Sequence, residues 1–200
     1  MRLNSLHKTA LRHAMLVIFV ALTLPTFAED CNSVNAKYQG KTFALQHNLR
    51  FEDNEARWVN FTGAADFLDV GTKVTVTQVK SDEVSLAVEG RGMTITLDLG
   101  KATPSCAEIL EHLLGPAAPS LKGLSATDLK GIKEGKMVVG MTRRALFIAV
   151  GYPPYSYKPP FRGDAAVNHD PQADELVYMK GTWDFVTVKL QAGKVIAIED

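Results

Sequence analysis

Residues 83–100 read EVSLAVEGRGMTITLDLG, two runs of strict alternation on either side of a glycine-flanked arginine. Val84, Leu86 and Val88 alternate with Ser85, Ala87 and Glu89, and Met93, Ile95, Leu97 and Leu99 alternate with Thr94, Thr96 and Asp98. A period of two sends successive side chains to opposite faces. Each run is therefore a half-buried strand, with Gly90-Arg91-Gly92 as the tight turn between them. Val74 and Val76 in GTKVTVTQV supply a third strand, turned back by Lys80-Ser81-Asp82-Glu83, while KTFALQHNL and RWVNF are less regular candidates. Five short strands with polar turns predict a small barrel or rolled sheet. A helix over 104–114, PSCAEILEHLL, closes this half with Ile109, Leu110, Leu113 and Leu114 as its apolar face.

Residues 115–123, GPAAPSLKG, interrupt the pattern with the residue types that break elements and join modules. The chain beyond starts helically: SATDLKGI has Ser125 or Thr127 as N-cap, with Gly131 weakening the helix soon after. A second helix follows in VVGMTRRALFIAVGYPP, residues 138–154. Thr142 can cap it, and Leu146, Phe147, Ile148 and Val150 make it apolar nearly all round, hence buried. Gly151 suits the left-handed position after the helix, and Pro153-Pro154 prevent continuation. Arg143 and Arg144 read as its exposed start. Strands are predicted at about 175–180, 183–190 and 195–199, with Ala192-Gly193 at the last turn. The fold class is thus α+β, a β-rich barrel-like domain followed by a two-helix, three-stranded antiparallel module.

The first residues follow the secretory pattern. Arg2, Lys8 and Arg12 precede an apolar run, Ala14 to Leu24, which Pro25 breaks before Thr26-Phe27-Ala28. The run is short for a membrane span, so residues 1–28 are expected to be a signal peptide and the protein to be exported. Its removal leaves 19 basic against 22 acidic residues, a net charge of −3. That is no electrostatic footprint for nucleic acid. Domains are expected at 29–115 and 124–200, joined by a linker at 116–123. Cys31 and Cys106 both lie beyond the cut, and in an oxidising compartment they most simply form one disulfide. On the chain-entropy argument such a bridge restricts the unfolded state by roughly 4 kcal/mol. The alternative is a lipoprotein cysteine at Cys31. Glu29 and Asp30 stand where small apolar residues would precede an acylated cysteine, so the protein is not expected to be a lipoprotein.

The second half carries a resemblance. VGMTRRALFIAVGYPP resembles the Gly-Met-Thr…Leu-Gly-x-Pro signature of the SmpA/OmlA (BamE-like) family. SATDLKGIKEGKMV resembles that family's first helix, and VTVKLQAGKVIAIED its final hairpin. The match covers about residues 124–200 and leaves the first half unassigned. It implies two helices packed on a three-stranded antiparallel sheet, a protein-binding habit, and a link to outer-membrane assembly or integrity. The chain departs from the family in lacking the acylation context, in its extra N-terminal domain, and in a long connection after Pro154. Similar modules serve other binding roles in secreted proteins, the β-lactamase inhibitory protein among them, so the resemblance implies fold and binding more than barrel assembly.

GIKEGKM at 131–137 has three residues between its glycines and Met137 after the lysine, a mismatch to a phosphate loop. His47, His112 and His169 are the histidines left after export, and none sits in a hydrolase, zinc-protease or redox motif. Asn60-Phe61-Thr62 matches a glycosylation triplet, which arises readily by chance. The loop over 152–174 holds five of the nine prolines together with Tyr152, Tyr155, Tyr157, Phe161 and Arg162. Long aperiodic loops are usually functional or disordered, and Tyr and Arg are favoured binding anchors. The candidate binding residues are therefore Tyr155, Tyr157, Phe161 and Arg162, with Tyr152 leaning towards the core. No cofactor or metal is expected. The expected function is a non-enzymatic binding or adaptor protein of the bacterial cell envelope, periplasmic or outer-membrane associated, whose partner is another envelope protein. The alternatives are a small hydrolase using His47 or His112, and a purely structural envelope component.

Overall fold

The computed structural model describes residues 31–100, 104–156 and 170–200. The expected signal peptide, His169, and the loop residues Tyr157, Phe161 and Arg162 lie outside them. The chain is mixed α+β. A short 3-10 turn, Cys31–Val34, runs into helix α1, Asn35–Tyr38. A curled sheet follows, built from β1 (Thr42–Leu45), β3 (Glu55–Arg57), β5 (Lys73–Val79), β6 (Glu83–Val88), β7 (Met93–Asp98) and β8 (Leu114–Gly115). Its order is β3-β7-β6-β5-β1-β8, so β3 and β8 are edges and the hydrogen bonding does not close a barrel. A separate pair, β2 (Leu49–Phe51) and β4 (Asp66–Leu68), lies beside it.

The alternating hairpin forms as its period demands. β6 pairs antiparallel with β7, and Val84, Leu86, Ile95 and Leu97 are essentially removed from water. The two weaker strand candidates differ from expectation. KTFALQHNL breaks after Leu45, bends through Gln46–Asn48 and resumes as β2. In RWVNF only Arg57 belongs to a strand, pairing parallel with Asp98, and the chain then turns at Asn60, whose φ is 50°. Helix α2, Cys106–Leu113, is capped by the Ser105 hydroxyl, which accepts the Glu108 amide. Leu114 leaves this helix for β8, where it pairs with Leu45. Cys31 and Cys106 form a disulfide, fastening the start of the described chain to the first turn of α2.

The second core is built by α3 (Ala126–Glu134), α4 (Arg143–Val150) and an antiparallel sheet of β10 (Glu175–Gly181), β11 (Asp184–Gln191) and β12 (Lys194–Glu199). Two residues, β9 (Tyr155–Ser156), extend this sheet beside β10. Met141, Leu146 and Ala149 pack against Leu176, Tyr178, Val188 and Val195.

One carboxylate holds both helix starts. Asp128 is buried, and its Oδ2 accepts from the Ser125 amide and hydroxyl while Oδ1 accepts from the amide and hydroxyl of Thr142. Burial alone would raise its pKa, but these four donors outweigh that and hold the group below the ordinary carboxylate range. Asp128→Asn keeps the shape but turns an NH2 group towards donors. It is expected to cost about 2 kcal/mol in urea denaturation at neutral pH.

Candidate binding groove at the seam of the two cores

The break after β1 carries polar side chains inward between the two hydrophobic clusters. Asn48 is almost wholly buried. Its Nδ2 donates to the carbonyls of Ile132 (2.8 Å) and Ala149 (3.1 Å), and its Oδ1 accepts from the Val70 amide at 2.7 Å. Asn60 is its counterpart. Nδ2 donates to Asn48 O and Val150 O at 3.0 and 2.7 Å, and Oδ1 accepts from the Arg50 amide at 2.7 Å. Both amides are satisfied, as buried polar groups must be. The glycosylation triplet at Asn60 is thereby a structural tie, its nitrogen committed inside the protein.

His47 completes the seam. Its Nδ1 lies 2.9 Å from Asn48 O; a carbonyl oxygen only accepts, so Nδ1 carries the proton and the neutral ring keeps its lone pair on Nε2. Burial lowers its pKa to about 4; the bond to the Asn48 carbonyl opposes this, and His112 adds to it. Gly151 closes α4 against this ring with φ 84° and an extended ψ, outside the left-handed helical region expected for it. A Cβ there would come within 3.1 Å of both Asn60 Nδ2 and His47 Cε1, so the turn needs glycine on space as well as on φ.

Above the seam lies a cavity of about 30 Å³, water-sized, lined among others by His47, Trp58, Asn60, His112 and Tyr152. A larger groove of about 460 Å³ runs past it, with Gln46, His112, Arg143, Arg144, Phe147 and Tyr152 in its walls. The Tyr152 ring stacks on His112, centroids 3.9 Å apart and planes 8° from parallel, and meets Phe147 at 4.7 Å. Tyr152 is half-buried, one face in the stack and the remainder in the groove.

Arg143 and Arg144 sit at the first two positions of α4, the end where the helix dipole disfavours cations. Arg144 is exposed, as expected, and donates to Ser120 O. Arg143 is not: its side chain is only 15% exposed. It donates to the carbonyls of Pro171 and Ala173 at 2.7 and 2.6 Å and pairs with Asp174. It therefore ties α4 to the approach to β10. The groove offers flat aromatic faces beside the exposed Arg144 guanidinium, a chemistry suited to carbonyl-rich and acidic protein surfaces.

Of the candidate residues from the sequence, Tyr155 lies in β9, its backbone opposite Val177. Tyr155 is three residues beyond Tyr152, which does line the groove. His47 and His112 both line the small cavity. Among the described residues no cluster of three or more histidine, cysteine or acidic side chains is arranged to hold a metal. Asn48, Arg50 and Asn60 were not anticipated; the only local signal is an asparagine-rich spacing around two weak strands. Comparison with family models, with curated proteins and with solved structures found no match.

Proposed function

We propose that the chain is an exported, non-enzymatic binding or adaptor protein of a bacterial cell envelope, recognising a protein partner through the Tyr152 groove and the loop it launches. The observation that carries this reading is the His112–Tyr152–Phe147 ring stack lining a groove of about 460 Å³ beside Arg144. Rigid aromatic faces next to an arginine are the composition that concentrates binding energy at protein interfaces. The Cys31–Cys106 disulfide supports an oxidising compartment. The helix–helix–three-strand order of the second core supports an SmpA/OmlA-like module, and with it a role in outer-membrane assembly or integrity.

The test is cell fractionation followed by in-cell crosslinking from the groove. The protein is expected in the periplasmic or outer-membrane fraction. Tyr152→Ala with Arg144→Glu removes one ring and reverses one exposed charge. It is expected to weaken capture of the crosslinked partner by about thirtyfold, some 2 kcal/mol of hot-spot energy. Unchanged capture by a folded double variant rejects the groove as the binding site.

A further inference from the structure

A second cleft, of about 420 Å³, lies where residues 62–67, the end of α3 and the β10–β12 sheet come together. Its apolar lining includes Phe67, Met137, Val186 and Ile198. Arg50 of β2 forms part of its wall, and the two carbonyls that its guanidinium holds, Ala64 O and Gly135 O, belong to wall residues too. The guanidinium therefore spans between two sides of the cleft. It lies 5.4 Å from the Phe67 ring centre. Gly135, in the left-handed conformation at the end of α3, permits this approach: a Cβ there would meet the Phe67 ring at 3.2 Å.

Arg50 is only 7% exposed, yet among the described residues no carboxylate pairs with it. Its Nε is the one buried side-chain nitrogen or oxygen in the described residues without a hydrogen-bond partner. Two carbonyls satisfy directions but leave the charge uncompensated, and a cation withdrawn from water without a counterion is costly. Burial accordingly lowers the guanidinium pKa. Two lysines share the cleft. Lys180 is taken by Asp200 at 2.8 Å, whereas Lys136 is exposed and has no ion pair among the described residues. Glu134 also stands on the rim; with Lys180 held by Asp200, Arg50 and Lys136 are the cations of the lining that have no ion pair among the described residues.

We propose that this cleft binds a small organic monocarboxylate with an apolar body, its carboxylate facing Arg50 and Lys136 and its body lying on Phe67, Met137 and Ile198. A planar carboxylate matches the guanidinium fork and supplies the counterion that Arg50 and Lys136 lack among the described residues. A phosphate dianion would leave the apolar lining unused. The volume is in the range of small-molecule sites.

The experiment is an amide NMR titration of the disulfide-bonded protein with octanoate, alongside acetate, octylamine and inorganic phosphate. Octanoate is expected to shift the amides of Gly63, Ala64, Gly135 and Lys136 in a saturable way. Acetate should bind more weakly because it lacks the body, and octylamine should leave these amides unmoved. Lys136→Glu, an exposed substitution that spares the fold, is expected to weaken octanoate binding at least about fivefold. The proposal is overturned if octanoate leaves these amides unmoved, if octylamine matches it, if phosphate binds better, or if Lys136→Glu binds octanoate as tightly as the parent.

Discussion

Asn48→Ala is expected to lower the unfolding free energy by about 4 kcal/mol, the largest effect of any single polar substitution proposed. The side chain is 1% exposed and makes three hydrogen bonds, each to a backbone group that has it as a tie across the molecule. Removing it strands the carbonyl of Ala149 and the amide of Val70, and leaves the Ile132 carbonyl with the Gly135 amide as its one remaining donor. Each buried group left without a partner costs about 1–3 kcal/mol, and the void adds a smaller amount. The first two bonds join the first core to α3 and α4, so the loss falls on the junction rather than on either core alone. Urea denaturation at neutral pH measures it. Gln46→Ala is the comparison: that side chain is partly exposed and donates to Ala44 O and Ala117 O near the surface, so it should cost about 1 kcal/mol or less. A cost for Asn48→Ala no larger than for Gln46→Ala would show that the polar seam does not hold the two cores together.

The contrast between these neighbouring residues shows what could be read from the sequence. Ser105, Ser125 and Thr142 each cap a helix through an amide three residues on, and residues 83–98 form their hairpin through partners 5 to 15 positions away. Such contacts are local, so composition and spacing state them directly. The seam is the opposite case. Asn48 reaches 84 and 101 residues along the chain, Arg50 reaches 85 and Asn60 reaches 90. No periodicity encodes a pairing of that range. RWVNF carries the composition of a strand, but Asn60 is drawn inward by Val150 and Asn48, and its positive φ ends the run. Arg143 misled in the same way: charge at a helix start reads as exposed, and only the carbonyls of Pro171 and Ala173, 28 and 30 residues distant, give it a buried place. The candidate groove was legible only through Tyr152 and the prolines after it. Its other wall, His112 on α2, comes from the far side of the linker. Tyr152 reads as core from its place beside the helix cap, yet it serves both roles, stacked on one face and open to the groove.

Acid is expected to loosen the same seam through His47. Its pKa is about 4 in the folded protein against an ordinary 6.5, because burial disfavours the cation. Between those two values the unfolded chain binds a proton that the folded protein refuses, so stability rises with pH across the window and falls as acid is added. The contribution is fully present above about pH 6.5 and is lost progressively down to about pH 4. At about pH 4.5 the loss is about 2–3 kcal/mol relative to about pH 7.5, since that pH covers most but not all of the shift at 1.36 kcal/mol per unit. The geometry offers no relief. Nδ1 is already committed to the Asn48 carbonyl, and the small cavity beside the ring is lined by His112 and Arg57, with no carboxylate among the described residues of its wall. Arg57 is held by Asp98 at 3.4 Å, but that pair is half-exposed and does not reach the imidazole as a counterion. The carboxylates held low in the native state, Asp128 and Glu111, begin to lose their own contribution only as the pH falls to their ordinary values, 3.8 and 4.5, at the acid end of this window. His47→Gln separates the two effects. It should cost some stability at neutral pH, where the neutral ring packs against Gly151, and then show a flatter decline between about pH 7.5 and 4.5. Denaturation curves at both pH values for both proteins decide the matter: equal declines would place the acid sensitivity elsewhere, whereas a decline smaller by about 2 kcal/mol in the variant assigns it to His47.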